Sequence, residues 1–93
     1  NDDENNALWF ACVRNKLLIV RELISHGCNI NNQNVNGATC LIYAASTGKF
    51  DIVRDLIRAG ANIRKQTLDG FNALDSATTL SILKFLKSVY ANA

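Results

Sequence analysis

Residues 36–63 read NGATCLIYAASTGKFDIVRDLIRAGANI, and this stretch decides the fold. On a helical wheel at about 100° per residue, its second half places Ile52 and Leu56 on one arc. The opposite arc carries Asp51 and Arg54. A helix with one apolar face has to bury that face against other helices, so the stretch predicts a packed helical unit.

The same pattern recurs at an offset of 33 residues. Residues 1–33 and 34–66 share 13 identities at this offset, where roughly two are expected by chance, and a fixed period of this length indicates a repeat protein. The identical pairs are Asn1/Asn34, Leu8/Leu41, Ala11/Ala44, Lys16/Lys49, Ile19/Ile52, Val20/Val53, Arg21/Arg54, Leu23/Leu56, Ile24/Ile57, Gly27/Gly60, Asn29/Asn62, Ile30/Ile63 and Gln33/Gln66.

A third copy begins at Thr67 with fewer identities but in the same apolar phase. Phe85 and Leu86 fall where Ile52 and Val53 fall in the second copy. The sequence therefore predicts one repeat domain over residues 1–93, divided into repeats 1–33, 34–66 and 67–93, of which the last is shortened and has the polar outer surface of a terminal cap.

Each repeat reads as a pair of helices. Asn6, Thr39 and Asn72 are suited to N-capping first helices, and Gly48, matched by Asn15 and Ser81, is suited to the turn that follows. The spacing predicts first helices at 6–14, 39–47 and 72–80, and second helices at 16–26, 49–59 and 82–92.

Two further features belong to the predicted second helices. Gly27 and Gly60 would end them in left-handed backbone, and polar turns or hairpins would follow over 28–37 and 61–70. On the exposed side of the middle helix, the spacing predicts ion pairs Asp51–Arg54 and Asp55–Arg58.

Composition limits the classes of function. The chain has 93 residues, 48% hydrophobic and 19% charged, with a net charge of +2, which is too small to indicate a nucleic-acid or membrane partner. Three cysteines are too few for a disulfide-stapled secreted scaffold, so we expect an intracellular, cytoplasmic or nuclear, location. Because the chain starts at Asn1 and contains no methionine, we also expect it to be a segment of a longer protein.

No motif predicts catalysis, a metal site or a cofactor. Cys12 and Cys28 stand where the second copy has Ala45 and Ala61, and Cys40 is matched by Ala7 and Ala73, so we interpret all three as small core side chains. His26 is the only histidine, and no Cys-x-x-Cys spacing or glycine-rich phosphate loop occurs. A Cys/His nucleophilic pair stays open from sequence alone, although nothing in the pattern would activate it.

The quoted stretch resembles the ankyrin repeat consensus nearly throughout, and with the 33-residue period the resemblance covers the whole chain. It implies an all-α repeat solenoid in which stacked helix-turn-helix pairs are joined by β-hairpin-like loops. The family's Thr-Pro-Leu-His motif is replaced here by Thr39-Cys40-Leu41-Ile42 and its counterparts at 6–9 and 72–75, which removes a polar network between repeats. Glu4 also replaces the turn glycine seen at Gly37 and Gly70, so the first hairpin is expected to be incomplete.

The resemblance implies that the chain binds a partner protein or peptide through the hairpin tips and the concave face of the first helices. By matching position, the implied contact residues are Asp2, Asp3, Asn5, Val13, Arg14 and Gln33 in the first repeat, Val35, Asn36, Ala38, Ser46, Thr47 and Gln66 in the second, and Leu68, Asp69, Phe71, Thr79 and Leu80 in the third. Phe71 is the expected anchor, because an exposed aromatic side chain on a rigid scaffold is typical of a binding hot spot. The alternative is that its ring folds back over Gly70.

Two other interpretations remain open. The module could be a substrate-recruiting or regulatory segment of a larger enzyme whose catalytic domain lies outside this chain. Leu18, with Trp9 and Phe10, could pack against a further segment of the parent chain on the N-terminal side, or Leu18 could simply be one of the scattered exposed leucines of any surface.

Overall fold

The structure is a computed structural model that describes residues 2–92, and the side chains of residues 6–92. It contains three successive helix pairs. The helices are α1 Asp2–Val13, α2 Leu17–Ser25, α3 Cys40–Ser46, α4 Phe50–Arg58, α5 Ala73–Ser76 and α6 Leu80–Ala91.

The helices form two layers. The first helices α1, α3 and α5 contact one another in sequence order, and so do the second helices α2, α4 and α6. No strand is assigned within residues 2–92. The predicted all-α solenoid of stacked helix pairs is therefore confirmed.

The apolar arc of the middle repeat forms the centre of the core. Ile52, Val53 and Leu56 are fully buried, as the helical wheel predicts. Val20 and Leu86 are equally buried at the corresponding positions of α2 and α6. The core is therefore one continuous stack across all three pairs.

The polar segments that close each repeat form tight turns of the hairpin kind. Asn34 donates its amide to the Ala38 carbonyl at 2.9 Å, and Thr67 donates to the Phe71 carbonyl at the same distance. Each bond joins the two ends of a five-residue segment, and we call these segments, 34–38 and 67–71, the loop tips. The predicted hairpin-like loops are thus present as turns without a strand ladder.

The first helix begins earlier than expected. We expected Asn6 to cap a helix over 6–14, but α1 already starts at Asp2, so Asn6 lies inside the helix. Glu4 replaces the glycine that the turn needs in the other repeats, and the acidic residues 2–4 favour a helix N-terminus. The expected incomplete first hairpin is instead helix.

The third pair departs from the other two. Helix α5 ends at Ser76, not at residue 80, and α6 starts at Leu80, not at 82. The turn residues Gly48 and Asn15 have φ of 75° and 55°. The matching residue of the third repeat is Ser81, and serine adopts this left-handed conformation much less readily than glycine or asparagine. The chain leaves the helix early, and the Thr79 hydroxyl caps α6 by accepting from the Ile82 amide at 3.3 Å.

The other helix ends agree with the expected caps. Thr39 accepts from the Ile42 amide at 3.2 Å. Asn72 and Asp75 form a capping box, so the residue at the family's histidine position caps its own helix. Gly27 and Gly60 end α2 and α4 with φ of 80° and 93°.

One predicted ion pair is replaced by a contact between repeats. Asp51 pairs with Arg54 at 3.6 Å, as expected. Asp55 instead contacts Arg21 of the preceding pair, with Nε and Oδ2 2.6 Å apart, and its side chain is only 10% exposed. The helical wheel predicted an exposed Asp55 because it treats each helix alone. In the structure, Asp55 pairs with Arg21 and not with the expected partner Arg58.

The fold predicts unequal effects for two loop glycines. A Cβ on Gly37 would lie 2.9 Å from the backbone nitrogen of Leu68 in the next loop, whereas a Cβ on Gly70 would meet nothing within 4 Å. Both glycines have positive φ, so alanine is strained at either position. We expect Gly37→Ala to lower the free energy of unfolding by about 1–3 kcal/mol more than Gly70→Ala, measured by urea denaturation. Equal losses would contradict this contact between loops.

Candidate binding surface

The loop tips expose apolar side chains at matching positions. Val35 and Leu68 are separated by one repeat and are 91% and 80% exposed. The side chain of Asn34 fixes the first tip, because its Oδ1 accepts from the amides of Asn36 and Ala38 at 2.9 and 3.0 Å. The two aliphatic side chains are therefore presented from ordered backbone.

The two tips are joined to each other. The Leu68 amide donates to the Asn36 carbonyl at 3.0 Å. Gln33 adds a second link, because its Nε2 donates to the Gly37 carbonyl at 2.7 Å and to the Gln66 carbonyl at 3.0 Å. The loop tips therefore form one connected edge.

Phe71 stands at the base of the second tip. Its amide donates to the Thr67 hydroxyl at 3.2 Å, and its ring is half-exposed. A half-exposed ring on a fixed backbone leaves apolar surface available to a partner, so the predicted anchor role stays open to test.

The first-helix layer contributes the ends of α1 and α3. Val13 and Arg14 are exposed, and the Arg14 guanidinium lies 5.5 Å from the centre of the Phe10 ring. The hydroxyls of Ser46 and Thr47 donate to the Tyr43 carbonyl at 2.8 and 2.9 Å. Their oxygens can still accept a hydrogen bond from a partner.

Lys49 is a residue that the sequence analysis did not select. Its Nζ lies 5.4 Å from the centre of the Tyr43 ring. The side chain lines a shallow concavity between the first and second pairs, together with Val13, Arg14, Asn15, Thr47, Gly48, Phe50 and Asp51. The identity of Lys16 with Lys49 marked the position, and Lys49 stands at the start of the second helix α4 as the spacing predicts.

Two groups of predicted contact residues are not where we expected them. The backbone of Asp2, Asp3 and Asn5 lies in α1, not in a projecting loop, and their side chains lie outside the described residues. Thr79 and Leu80 were assigned to the concave end of the first helix, but they cap and begin α6 because α5 ends early. Leu80 is nevertheless 65% exposed.

The other predicted residues lie on the surface. Ala38 is half-buried, and the remaining ones are exposed, namely Val13, Arg14, Gln33, Val35, Asn36, Ser46, Thr47, Gln66, Leu68, Asp69 and Phe71. The helix-end members lie in the first and second repeats, whereas the loop-tip segments 34–38 and 67–71 belong to the second and third repeats. Whether they act as one binding surface stays a prediction.

The cysteines occupy the interior more than the surface. Cys12 and Cys40 are buried, and Cys28 is half-buried. A hydrogen bond with Cys12 and burial among apolar side chains raise the pKa of the Cys40 thiol. Both buried positions agree with small core side chains.

Two further kinds of site are absent from the described residues 2–92. No cluster of three or more His, Cys, Asp or Glu side chains there could hold a metal ion. In the same part of the chain, no helix combines the length and the apolar character needed to span a bilayer.

Known proteins similar to this chain share its repeats. The family model described as "Ankyrin repeats (3 copies)" matches residues 1–67. The solved ankyrin repeat domain of Bcl-3, described as a unique member of the IkappaB protein family, matches with a TM-score of 0.83 and 30% identity. That match covers 86% of this chain but 35% of the Bcl-3 chain, so this chain spans about a third of its length.

The comparisons define the fold more closely than the function. As many as 323 solved chains match significantly, so the fold alone does not select a partner. No curated protein matches the chain significantly.

Burial predicts the reactivity of the thiols. We expect Cys12 and Cys40 to resist iodoacetamide at about pH 8 in the folded protein and to react fully in urea, because both thiols are buried and the reagent cannot reach them. Mass spectrometry of peptides from both samples measures this. Fast modification of either residue without urea would contradict their role as core side chains.

The two links made by Gln33 predict a structural role for this side chain. We expect Gln33→Ala to lower the free energy of unfolding by about 1 kcal/mol, because it removes the side-chain bridge between the Gly37 and Gln66 carbonyls. Gln66→Ala is the matched control, since only its backbone carbonyl takes part, and we expect a change within about 0.5 kcal/mol. Urea denaturation measures the free energy of unfolding of both variants. Equal changes would show that the Gln33 side chain does not join the loops.

Proposed function

The chain belongs to the ankyrin repeat family, and we propose that it binds a partner protein through the loop-tip segments 34–38 and 67–71 and the adjoining ends of α1 and α3. Ankyrin repeats are generally protein–protein interaction modules, and the family is not a catalytic one. The proposal concerns which surface of this chain is used.

The exposed apolar side chains on the loop tips carry the proposal. Val35 and Leu68 are more exposed than any other large apolar side chain of the described residues, and Phe71 adds an aromatic ring beside them. Large apolar side chains held on ordered backbone gain contact area on binding with little loss of conformational entropy. A partner with apolar side chains that follow the tips would match them.

The charged residues suggest the other half of the partner's chemistry. Arg14 follows the end of α1 and Lys49 directly precedes α4, and each lies beside an aromatic ring. Ser46 and Thr47 provide oxygen acceptors nearby. We therefore propose a partner segment that combines apolar side chains at the tips with a carboxylate or carbonyl group near Arg14 and Lys49.

Two further proposals concern the protein to which the module belongs and its location in the cell. A substrate-recruiting or regulatory segment of a larger enzyme would use the same surface, so the activity of the whole protein does not alter the test below. We propose an intracellular location, cytoplasmic or nuclear, because the buried thiols Cys12 and Cys40 suit a reducing compartment.

A matched set of variants tests this surface. A partner is captured by cross-linking on the wild-type chain and identified, and its affinity is then measured for Phe71→Ala, Arg14→Glu and Leu18→Ala. We expect Phe71→Ala to weaken binding at least about tenfold, as truncation of a hot spot does, and Arg14→Glu to weaken it as well. Leu18 is the control, because it is 76% exposed but lies on α2 in the second layer.

Circular dichroism confirms that each variant is folded before affinities are compared. Unchanged binding by both Phe71→Ala and Arg14→Glu would refute the proposed surface. Loss of binding in Leu18→Ala alone would assign the partner to the second-helix layer.

A further inference from the structure

The loop tips carry two residue pairs that are prone to a spontaneous reaction of the backbone. Asn36-Gly37 is the one Asn-Gly pair of the sequence, and Asp69-Gly70 is its one Asp-Gly pair. The two pairs occupy the same position of their tips, one 33-residue period apart. Glycine has no Cβ to obstruct its own backbone nitrogen, so that nitrogen can reach the carbonyl carbon of the preceding side chain.

The reaction at Asn36 uses water as its only other reactant. The Gly37 backbone nitrogen attacks Cγ of Asn36 and forms a C–N bond, while Nδ2 takes up the Gly37 proton and leaves as ammonia. Water then opens the resulting cyclic imide. Its attack on the former side-chain carbonyl gives aspartate, and its attack on the backbone carbonyl gives isoaspartate, in which the backbone runs through the former side chain.

The folded chain holds the peptide unit between Asn36 and Gly37 at both ends. The Gly37 amide donates to the Asn34 carbonyl at 2.9 Å, and the Asn36 carbonyl accepts from the Leu68 amide at 3.0 Å. Ring closure takes up this whole peptide unit and consumes the Gly37 proton. Both hydrogen bonds therefore restrain the reaction, and the second of them comes from the following loop tip.

The matching peptide unit of the third repeat is held at one end. Gly70 donates to the Thr67 carbonyl at 2.9 Å, but no further loop tip follows within residues 2–92 to supply a donor to the Asp69 carbonyl. A Cβ on Gly37 would lie 2.9 Å from the Leu68 nitrogen, whereas a Cβ on Gly70 would meet nothing within 4 Å. The two tips therefore share a turn and differ in whether another loop covers it.

We propose that Asn36 is a modification site, which deamidates to aspartate and isoaspartate at a rate set by opening of the hydrogen bond between the Leu68 amide and the Asn36 carbonyl. Gln33 adds to this restraint, because its Nε2 donates to the Gly37 carbonyl at 2.7 Å and to the Gln66 carbonyl at 3.0 Å. The free energy of such a local opening determines how often the backbone becomes reactive, and so it scales the rate of conversion.

Either product changes the edge formed by the loop tips permanently. Both products place a carboxylate where an uncharged amide stood, and isoaspartate also adds a methylene group to the backbone of segment 34–38. The hydrogen bond that closes this segment, from the Asn34 amide to the Ala38 carbonyl, then has to span a longer chain. Because Asn36 lies on the proposed binding surface, conversion also adds a negative charge there, and this consequence alone rests on the proposed function.

One variant compares a covered tip with an uncovered tip in the same molecule. Asp69→Asn gives the third repeat the same Asn-Gly pair, and the folded protein is incubated at mildly alkaline pH. Peptide mass spectrometry follows the replacement of NH2 by OH at each tip, and chromatography separates the isoaspartate peptides. Rates in guanidinium chloride, where both tips are unfolded, correct for the neighbouring residues. We expect position 69 to convert about fivefold faster than Asn36 after this correction, because only Asn36 first has to lose a hydrogen bond.

A second set of variants tests the restraint from Gln33. We expect Gln33→Ala to speed the conversion of Asn36 in the folded protein about fivefold, because it removes the side-chain bridge between the loops. Gln66→Ala is the matched control and is expected to leave the rate unchanged. Asn36→Gln is the control for the assignment, since ring closure through the longer side chain is far slower and the change in mass at the second tip disappears.

Three outcomes would overturn the proposal. Conversion of Asn36 at the same rate in the folded and the unfolded chain, or equal corrected rates at the two tips of Asp69→Asn, would show that the following loop does not control the reaction. No conversion of Asn36 in the folded wild type and in Gln33→Ala, while the unfolded chain converts completely, would exclude the site. These measurements need no partner, so the proposed function and this proposal are tested separately.

Discussion

Burial of each helix pair against its neighbours is the interaction on which the rest of this structure depends. Ile52 and Leu56 are fully buried because a helix pair lies on each side of α4. A side chain of this size stabilises the fold by about 1.5–3 kcal/mol when it is fully buried. Ile19, identical to Ile52 in sequence, remains 47% exposed in the first pair, so position in the stack, and not residue type, sets its contribution.

Polar contacts then fix the register of the stack. Arg21 with Asp55, and Gln33 with the Gln66 carbonyl, each join residues about one period apart. The family's histidine network is absent, and its positions are occupied by Trp9, Ile42 and Asp75. The first two add apolar contact and the third caps its own helix, so links between repeats are made at the loops and at the second helices.

The sequence predicted those features that depend on spacing. The 33-residue period and the apolar arc of α4 determine the helix pairs, and Thr39, Gly48 and Gly60 determine where helices of the middle pair begin or end. Features that depend on contacts between repeats were missed. Asp55 appears exposed on a helical wheel because the wheel contains no neighbouring helix to supply an arginine.

The predicted helix bounds of the third pair, and the predicted placement of Thr79 and Leu80, were wrong for a related reason. Carrying positions over by period assumed that Ser81 would turn like Gly48, and so Thr79 and Leu80 were placed on the wrong helix. The exposure of Leu18 agrees with the helical wheel. The environment of Asp51 favours the interpretation of Leu18 as an ordinary exposed leucine, because this position stays exposed within a complete stack.

The loop tips divide into residues that hold the edge and residues that can vary. Gln33 holds it by bonding to the Gln66 carbonyl, and Gly37 allows the following loop to approach, because a Cβ there would lie 2.9 Å from the Leu68 nitrogen. Val35 and Leu68 point away from the stack and are almost fully exposed, so substitution there leaves the bonds between the loops intact. On the proposed binding surface, a change at Gln33 or Gly37 is therefore expected to alter stability as well as binding, whereas a change at Val35 or Leu68 is expected to alter binding with little effect on stability. The proposed contact residues of the tips are therefore separate from the buried stack that positions them.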